Sequence, residues 1–140
     1  MTTKRGLLEN LGLHRPDLRA WAMYDWGISA YQTVIMAAVF PIFFSQYAAH
    51  GLGESQRLQW FSYAQTVGAV LIAILAPILG AVADYKAAKK KFLGAFMILG
   101  VGATSAMFLI GQGNVLLAAA LLILSLAGAT GSTTFYEALL

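Results

Sequence analysis

The sequence lacks cysteine entirely and is poor in charge. None of its 140 residues is a cysteine, so disulfides, thiolate metal sites and a cysteine nucleophile are excluded here. Charged residues make up 11% of the chain, against the roughly 25% of a soluble domain. Hydrophobic residues make up 59% instead, which is typical of a membrane protein. A chain of 140 residues suffices for about four spanning helices of roughly 20 apolar residues each.

Signatures of catalysis are missing as well. The sequence contains no H-E-x-x-H, no G-x-S-x-G and no G-x-x-x-x-G-K-[ST]. His14 and His50 are far apart in a predicted tail and a predicted loop, so a metal or catalytic dyad would need more than one chain. The sequence therefore predicts no enzyme, no cofactor and no metal site.

The apolar runs divide the chain into a polar tail and a membrane domain. Residues 1–19 are interrupted by charged residues and a proline, and they predict a cytoplasmic tail rather than a cleaved signal peptide. Residues 20–140 predict an all-α membrane domain whose four spans cover about 20–48, 58–83, 92–110 and 115–136. The loops between the spans are short, so neighbouring helices should be adjacent and antiparallel.

Basic residues are distributed unevenly between the two sides of these spans. Most of them form two groups, Lys4, Arg5, Arg15 and Arg19 in the tail and Lys86, Lys89, Lys90 and Lys91 in the second loop. The first loop has only Arg57, and the third loop has no basic residue. By the positive-inside rule, the chain is a multi-pass cell-membrane protein with both termini in the cytoplasm. This arrangement accounts for the net charge of +3 without a nucleic-acid partner.

Polar side chains inside the spans are the candidates for function, because the hydrocarbon core disfavours them. At 100° per residue, Asp25, Ser29 and Gln32 share one face of span one. Asp25 is a candidate for proton coupling or for binding a cationic group of a solute. The alternative is that it pairs with Arg19 or a neighbouring helix near the membrane surface. Gln65 of span two either lines a cavity or bonds a neighbouring helix.

Small residues form a stripe on span two and another on span four. Such stripes let helix backbones approach closely in lipid, so both predict packing faces. The stripe on span two consists of Ser62, Thr66, Ala69, Ala73, Ala76 and Gly80, and the stripe on span four consists of Ser125, Ala129, Ser132 and Tyr136. Span three carries no charge and is assigned to the scaffold.

The second loop, "GAVADYKAAKKK", resembles the loop between helices two and three of the major facilitator superfamily. That loop reads G-x-x-x-D followed by a basic run, and Gly80, Asp84, Lys89 and Lys90 match it. The sequence departs from the pattern at three positions, Tyr85, Ala87 and Ala88. The resemblance implies a conformational role for the four matching residues.

Two further stretches narrow the resemblance. "RAWAMYDWGISAYQTVIMAAVFPIFF" and "GSTTFYEALL" are similar to the first and fourth helices of the vacuole-effluxer-like (Atg22-like) branch of that superfamily. The chain is identified as the N-terminal part of such a transporter, with four helices corresponding to the first four of the fold. The resemblance also implies that Glu137 is a gating contact of this second loop, residues 80–91, which we call the lysine loop. Its position alone favours an interfacial, solvated acid.

Two functions are predicted for the chain. The first is secondary active transport of a small solute, possibly amino-acid-like, by alternating access, with the lipid bilayer and the remaining helices of the transporter as partners. The second is a non-transporting four-helix unit that acts through association. That unit would be a folding or insertion intermediate held by an insertion machinery, or a small homo-oligomer formed with other copies of the chain.

Overall fold

The computed structural model describes residues 15–85 and 88–139, and within these ranges the chain is helical between short loops, without a strand. Four helices account for it: α1 over Pro16–Ala48, α2 over Glu54–Tyr85, α3 over Lys89–Ala106 and α4 over Val115–Glu137. All four are long and apolar enough to cross a membrane. The all-α membrane fold predicted from composition is therefore confirmed.

Local sequence signals explain where the helices begin and how the loops turn. Pro16 occupies the start of α1, where its missing N–H costs no helical hydrogen bond. The Asn114 side chain caps α4 by accepting a hydrogen bond from the Leu117 N–H at 3.4 Å. Gly51 and Gly113 have φ values of +92° and +78°, which glycine adopts without strain. The Gly113 N–H donates to the Tyr47 carbonyl at 3.1 Å and so ties the third loop to the end of α1.

Helix α1 departs from regular α-helical geometry. Pro16–Ala30 is α-helical, but Tyr31–Val39 and Phe44–Ala48 are π-helical. A π-helix closes i→i+5 hydrogen bonds, so each turn takes up more residues than in an α-helix. The angular spacing of 100° per residue assumed for span one is therefore wrong beyond Ala30, because it rests on α-helical turns.

The chain forms two compact units, one up to Phe40 and the other over Pro41–Leu140. The first unit contains most of α1. In the second unit, α4 is the central helix and packs against both α2 and α3, which contact each other much less. Accordingly, α4 is the most buried of the four helices.

Small residues give α3 and α4 their close contact. A Cβ atom on Gly128 would lie 2.3 Å from the backbone nitrogen of Gly100, so the two backbones touch where neither residue has a side chain. About one turn further along α4, the Phe96 ring fills the space beside Gly131. Ser125, Ala129 and Ser132 are buried, which confirms the packing face predicted for these three residues of span four.

The packing face of α2 differs from the predicted one. Ala64, Gly68 and Ile72 are buried, whereas four members of the predicted stripe, Ser62, Thr66, Ala69 and Ala73, are exposed. A Cβ atom on Gly68 would lie 3.2 Å from Leu126 Cδ1, so Leu126 of α4 fills the space that this glycine leaves open. The expectation was wrong for those four residues because the fit of a large side chain against a glycine selects the contact face.

Candidate functional site

Three polar residues of α1 lie together on an exposed face of the first unit. Asp25, Ser29 and Gln32 are all exposed, while Ile28 and Tyr31 between them are half-buried. Asp25 and Ser29 are one turn apart in the regular α-helical part, and Gln32 follows within the π-helical segment. The three side chains therefore form a continuous polar strip on a helix long enough to span the membrane.

Asp25 has no ionic partner within residues 15–85 and 88–139, where the salt bridges join Arg15 to Asp17 and Lys89 to Asp84. The pairing of Asp25 with Arg19 is thus not formed in the described part of the chain. An acid that is exposed on a spanning helix and not neutralised by protein is available to a proton or a cation.

Gln65 belongs to the second unit and is also exposed, on α2. Its side chain forms no hydrogen bond within the described ranges, so it does not bond a neighbouring helix there. Its neighbour Thr66 is also exposed and donates to the Ser62 carbonyl of its own helix at 2.8 Å. On this part of α2, the Gln65 amide therefore has no hydrogen-bond partner in the described ranges, and the hydroxyl groups of Ser62 and Thr66 lie nearby in the helix.

The lysine loop joins the ends of three helices. Lys89 Nζ lies 2.7 Å from Asp84 Oδ1, which links the start of α3 to the end of α2. The same ammonium group donates to the Ala138 carbonyl at 3.3 Å, just beyond α4. A cation at a helix C-terminus interacts favourably with the free carbonyl groups and the negative end of the helix dipole.

The other members of the predicted loop motif take less part in this link. Gly80 is half-buried, and a Cβ atom added to it would meet no atom within 4 Å, so local packing does not explain the glycine. Lys90 is exposed. Glu137 is exposed and forms no ion pair with the lysines in the described residues. The contact with α4 is made instead through the backbone of Ala138.

A polar contact that the sequence assigned only to scaffold and packing lies between α3 and α4. Thr104 Oγ1 and Ser125 Oγ are 2.7 Å apart, and Ser125 is fully buried. Thr104 also donates to the Gly100 carbonyl at 2.8 Å. The signal in the sequence that could have predicted this contact is that Thr104 and Ser125 each place a hydroxyl group within two consecutive spans. In the described residues, no group of three or more His, Cys, Asp and Glu side chains is placed to hold a metal ion.

Comparisons with known proteins agree with the motifs. A family model described as "Vacuole effluxer Atg22 like" matches residues 54–140. The chain is 38% identical over 122 residues to the uncharacterized MFS-type transporter YxiO of Bacillus subtilis (strain 168). The alignment covers 86% of this chain but 28% of the relative, so the chain spans well under half of that protein's length. No solved structure gives a significant match.

Proposed function

The chain belongs to the Atg22-like vacuole effluxer family of MFS-type transporters, and from this we propose that it forms the first four helices of a secondary transporter that works by alternating access. Its four apolar helices and its coverage of 28% of the relative support this placement. Membership of a transporter family also favours solute movement over catalysis. The alternative of a unit that acts only through association gains no support from the comparisons.

The observation that carries this proposal is the exposed polar strip of Asp25, Ser29 and Gln32 on α1. By insertion scales, an aspartate that faces lipid costs up to about 2.5–3.5 kcal/mol, the value at the centre of a spanning helix. Membrane proteins avoid this cost by turning such residues toward a water-filled cavity or the interior of the helix bundle. The strip therefore faces the solute pathway of the complete transporter, which the remaining helices enclose.

The chemistry of the strip supports an amino-acid-like solute. The carboxylate of Asp25 binds a proton or an ammonium group, while the Ser29 hydroxyl and the Gln32 amide donate and accept hydrogen bonds. Gln65 of α2, in the second unit, is a separate candidate for solute contact, because its exposed amide also donates and accepts hydrogen bonds. An amino-acid-like solute, with its ammonium group and its polar oxygens, matches these groups.

The link between Asp84, Lys89 and the Ala138 carbonyl forms the conformational element of this transporter. The Asp84 side chain is 64% exposed and that of Lys89 is 33% exposed, so their ion pair is only weakly stabilising. A weak link across three helix ends forms and breaks at little cost as the helices rock. We assign this loop, and both termini, to the cytoplasmic side of a cell membrane on the basis of the positive-inside rule.

Replacement of Asp25 tests the proposal. In the complete transporter reconstituted into proteoliposomes, we expect Asp25→Asn to reduce transport of an amino-acid panel to background without lowering expression. The matched control is Glu54→Gln, which removes an exposed acid at the first residue of α2 and should leave transport unchanged. Transport by Asp25→Asn at the wild-type rate would remove the role given to this residue.

A further inference from the structure

A shallow depression of about 510 Å³ lies beside the lysine loop. It is lined by Asp84, Ala88, Lys89, Lys90, Lys91 and Leu139. These residues lie at the ends of α2, α3 and α4, each of which is long and apolar enough to cross a membrane. The depression therefore lies where the membrane surface meets the protein.

The charges around this depression are unbalanced. Of its three lysines, only Lys89 has an acidic partner, because the single carboxylate, that of Asp84, binds it. Lys90 and Lys91 are exposed, and neither pairs with an acid in the part of the chain that the structure describes. Two adjacent ammonium groups are thus left to bind an anion from outside the protein.

The surface next to these lysines is apolar. Immediately after them, Phe92 is half-buried and packs inward on the buried Phe135 of α4, with ring centroids 5.3 Å apart. Further along α3, the side chains of Ile98 and Val101 are 72% and 62% exposed. A ligand that combines an anionic group with long apolar chains fits this surface over its whole length, whereas a soluble anion uses only the lysines.

We propose that this depression binds the headgroup of an anionic phospholipid. The ammonium groups of Lys90 and Lys91 contact the phosphate oxygens, and the acyl chains lie along the exposed apolar face of α3. Basic pockets between spanning helices recognise lipid headgroups through the same combination of charge and position. This site shares no residue with the polar strip of α1 and does not depend on the transported solute.

Native mass spectrometry of the 140-residue chain in detergent tests this site. The chain is titrated with phosphatidylglycerol, with phosphatidylcholine carrying the same acyl chains, and with inorganic phosphate. We expect phosphatidylglycerol to bind most tightly. The double variant Lys90→Gln/Lys91→Gln should weaken its binding by roughly thirtyfold, which is the effect of losing two lysines near a lipid phosphate. Lys90→Arg/Lys91→Arg should retain binding.

The control removes the same charge elsewhere, through Arg15→Gln/Arg19→Gln, and should leave phosphatidylglycerol binding unchanged. Circular dichroism verifies that each variant keeps its helix content. In a detergent micelle both ends of the helices are accessible to the lipid, so a change of membrane topology cannot alter the result. Equal binding of the two lipids, or unchanged binding by the double glutamine variant, would overturn the proposal. Phosphate binding as tight as that of phosphatidylglycerol, or an equal loss in the control, would also overturn it.

Discussion

At the scale of single residues, Lys89 connects the ends of three helices. Lys89 is the first residue of α3, and its ammonium group contacts the Asp84 carboxylate at the end of α2 and the Ala138 carbonyl just beyond α4. The sequence motif marked Asp84 and Lys89 as conformational residues. It could not identify Ala138 as the acceptor, because every residue has a backbone carbonyl and the residue type therefore does not show which one accepts. Glu137, the nearby carboxylate, was the more obvious candidate.

The Asp84–Lys89 pair should affect motion more than stability. Because the pair is exposed, we expect Asp84→Asn to change the free energy of unfolding by less than about 1 kcal/mol. In the complete transporter it should nevertheless alter the rate of exchange between the two open states. Single-molecule fluorescence between labels on the lysine loop and the end of α4 measures that rate.

Two lysine variants separate this role from a general effect of charge. Lys89→Gln should alter the exchange rate as Asp84→Asn does, whereas Lys89→Arg keeps the charge and the donors and should exchange at the wild-type rate. If Asp84→Asn weakened solute affinity and left the exchange rate unchanged, the loop would not be a conformational element.

At the scale of helices, the contact between α3 and α4 is the tightest packing that the structure shows. We expect Gly128→Ala to destabilise the chain by about 1–3 kcal/mol, because its Cβ atom would overlap the backbone of Gly100. Gly102→Ala on α3 is the matched control, since its Cβ atom meets no atom within 4 Å. Alanine also favours a helix over glycine, so the control should be neutral or stabilising by up to about 1 kcal/mol.

Unfolding of both glycine variants in mixed micelles, followed by circular dichroism, gives the two free energies. Equal values for Gly128→Ala and Gly102→Ala would show that the backbones of α3 and α4 do not pack as closely as described.

The helices themselves followed from the sequence, but some of their faces and turns did not. Long apolar runs between short polar loops were enough to predict four spans. The stripe of small residues on α2 shows only where a close approach is possible, and Leu126 packs against Gly68 on another face. Hydropathy also does not distinguish i→i+4 from i→i+5 hydrogen bonds, so the π-helical segments of α1 were not predicted.

At the scale of the whole molecule, the orientation in the membrane rests on the lysine loop and the basic tail. Because the chain contains no cysteine, single cysteines at Gly53 and Ala88 can be labelled selectively. A membrane-impermeant thiol reagent added to intact cells should label position 53, and it should label position 88 only after the membrane is opened. The reverse pattern would place both termini outside.

The proposed function requires that the polar strip of α1 face a water-filled solute pathway. Gln32 and Val34 are both exposed in the described chain, but they are two residues apart and so point to different sides of α1. Their different surroundings in the complete transporter can be measured with thiol reagents, without knowing the solute. A cysteine reacts with these reagents as the thiolate, which forms where water reaches the side chain.

The most direct measurement is therefore the rate at which a small, charged thiol reagent modifies Gln32→Cys and Val34→Cys in the complete transporter in its membrane. We predict fast modification at position 32 and little modification at position 34, where the side chain faces lipid. Equal rates at the two positions, or a slower reaction at position 32, would show that the polar strip does not face water.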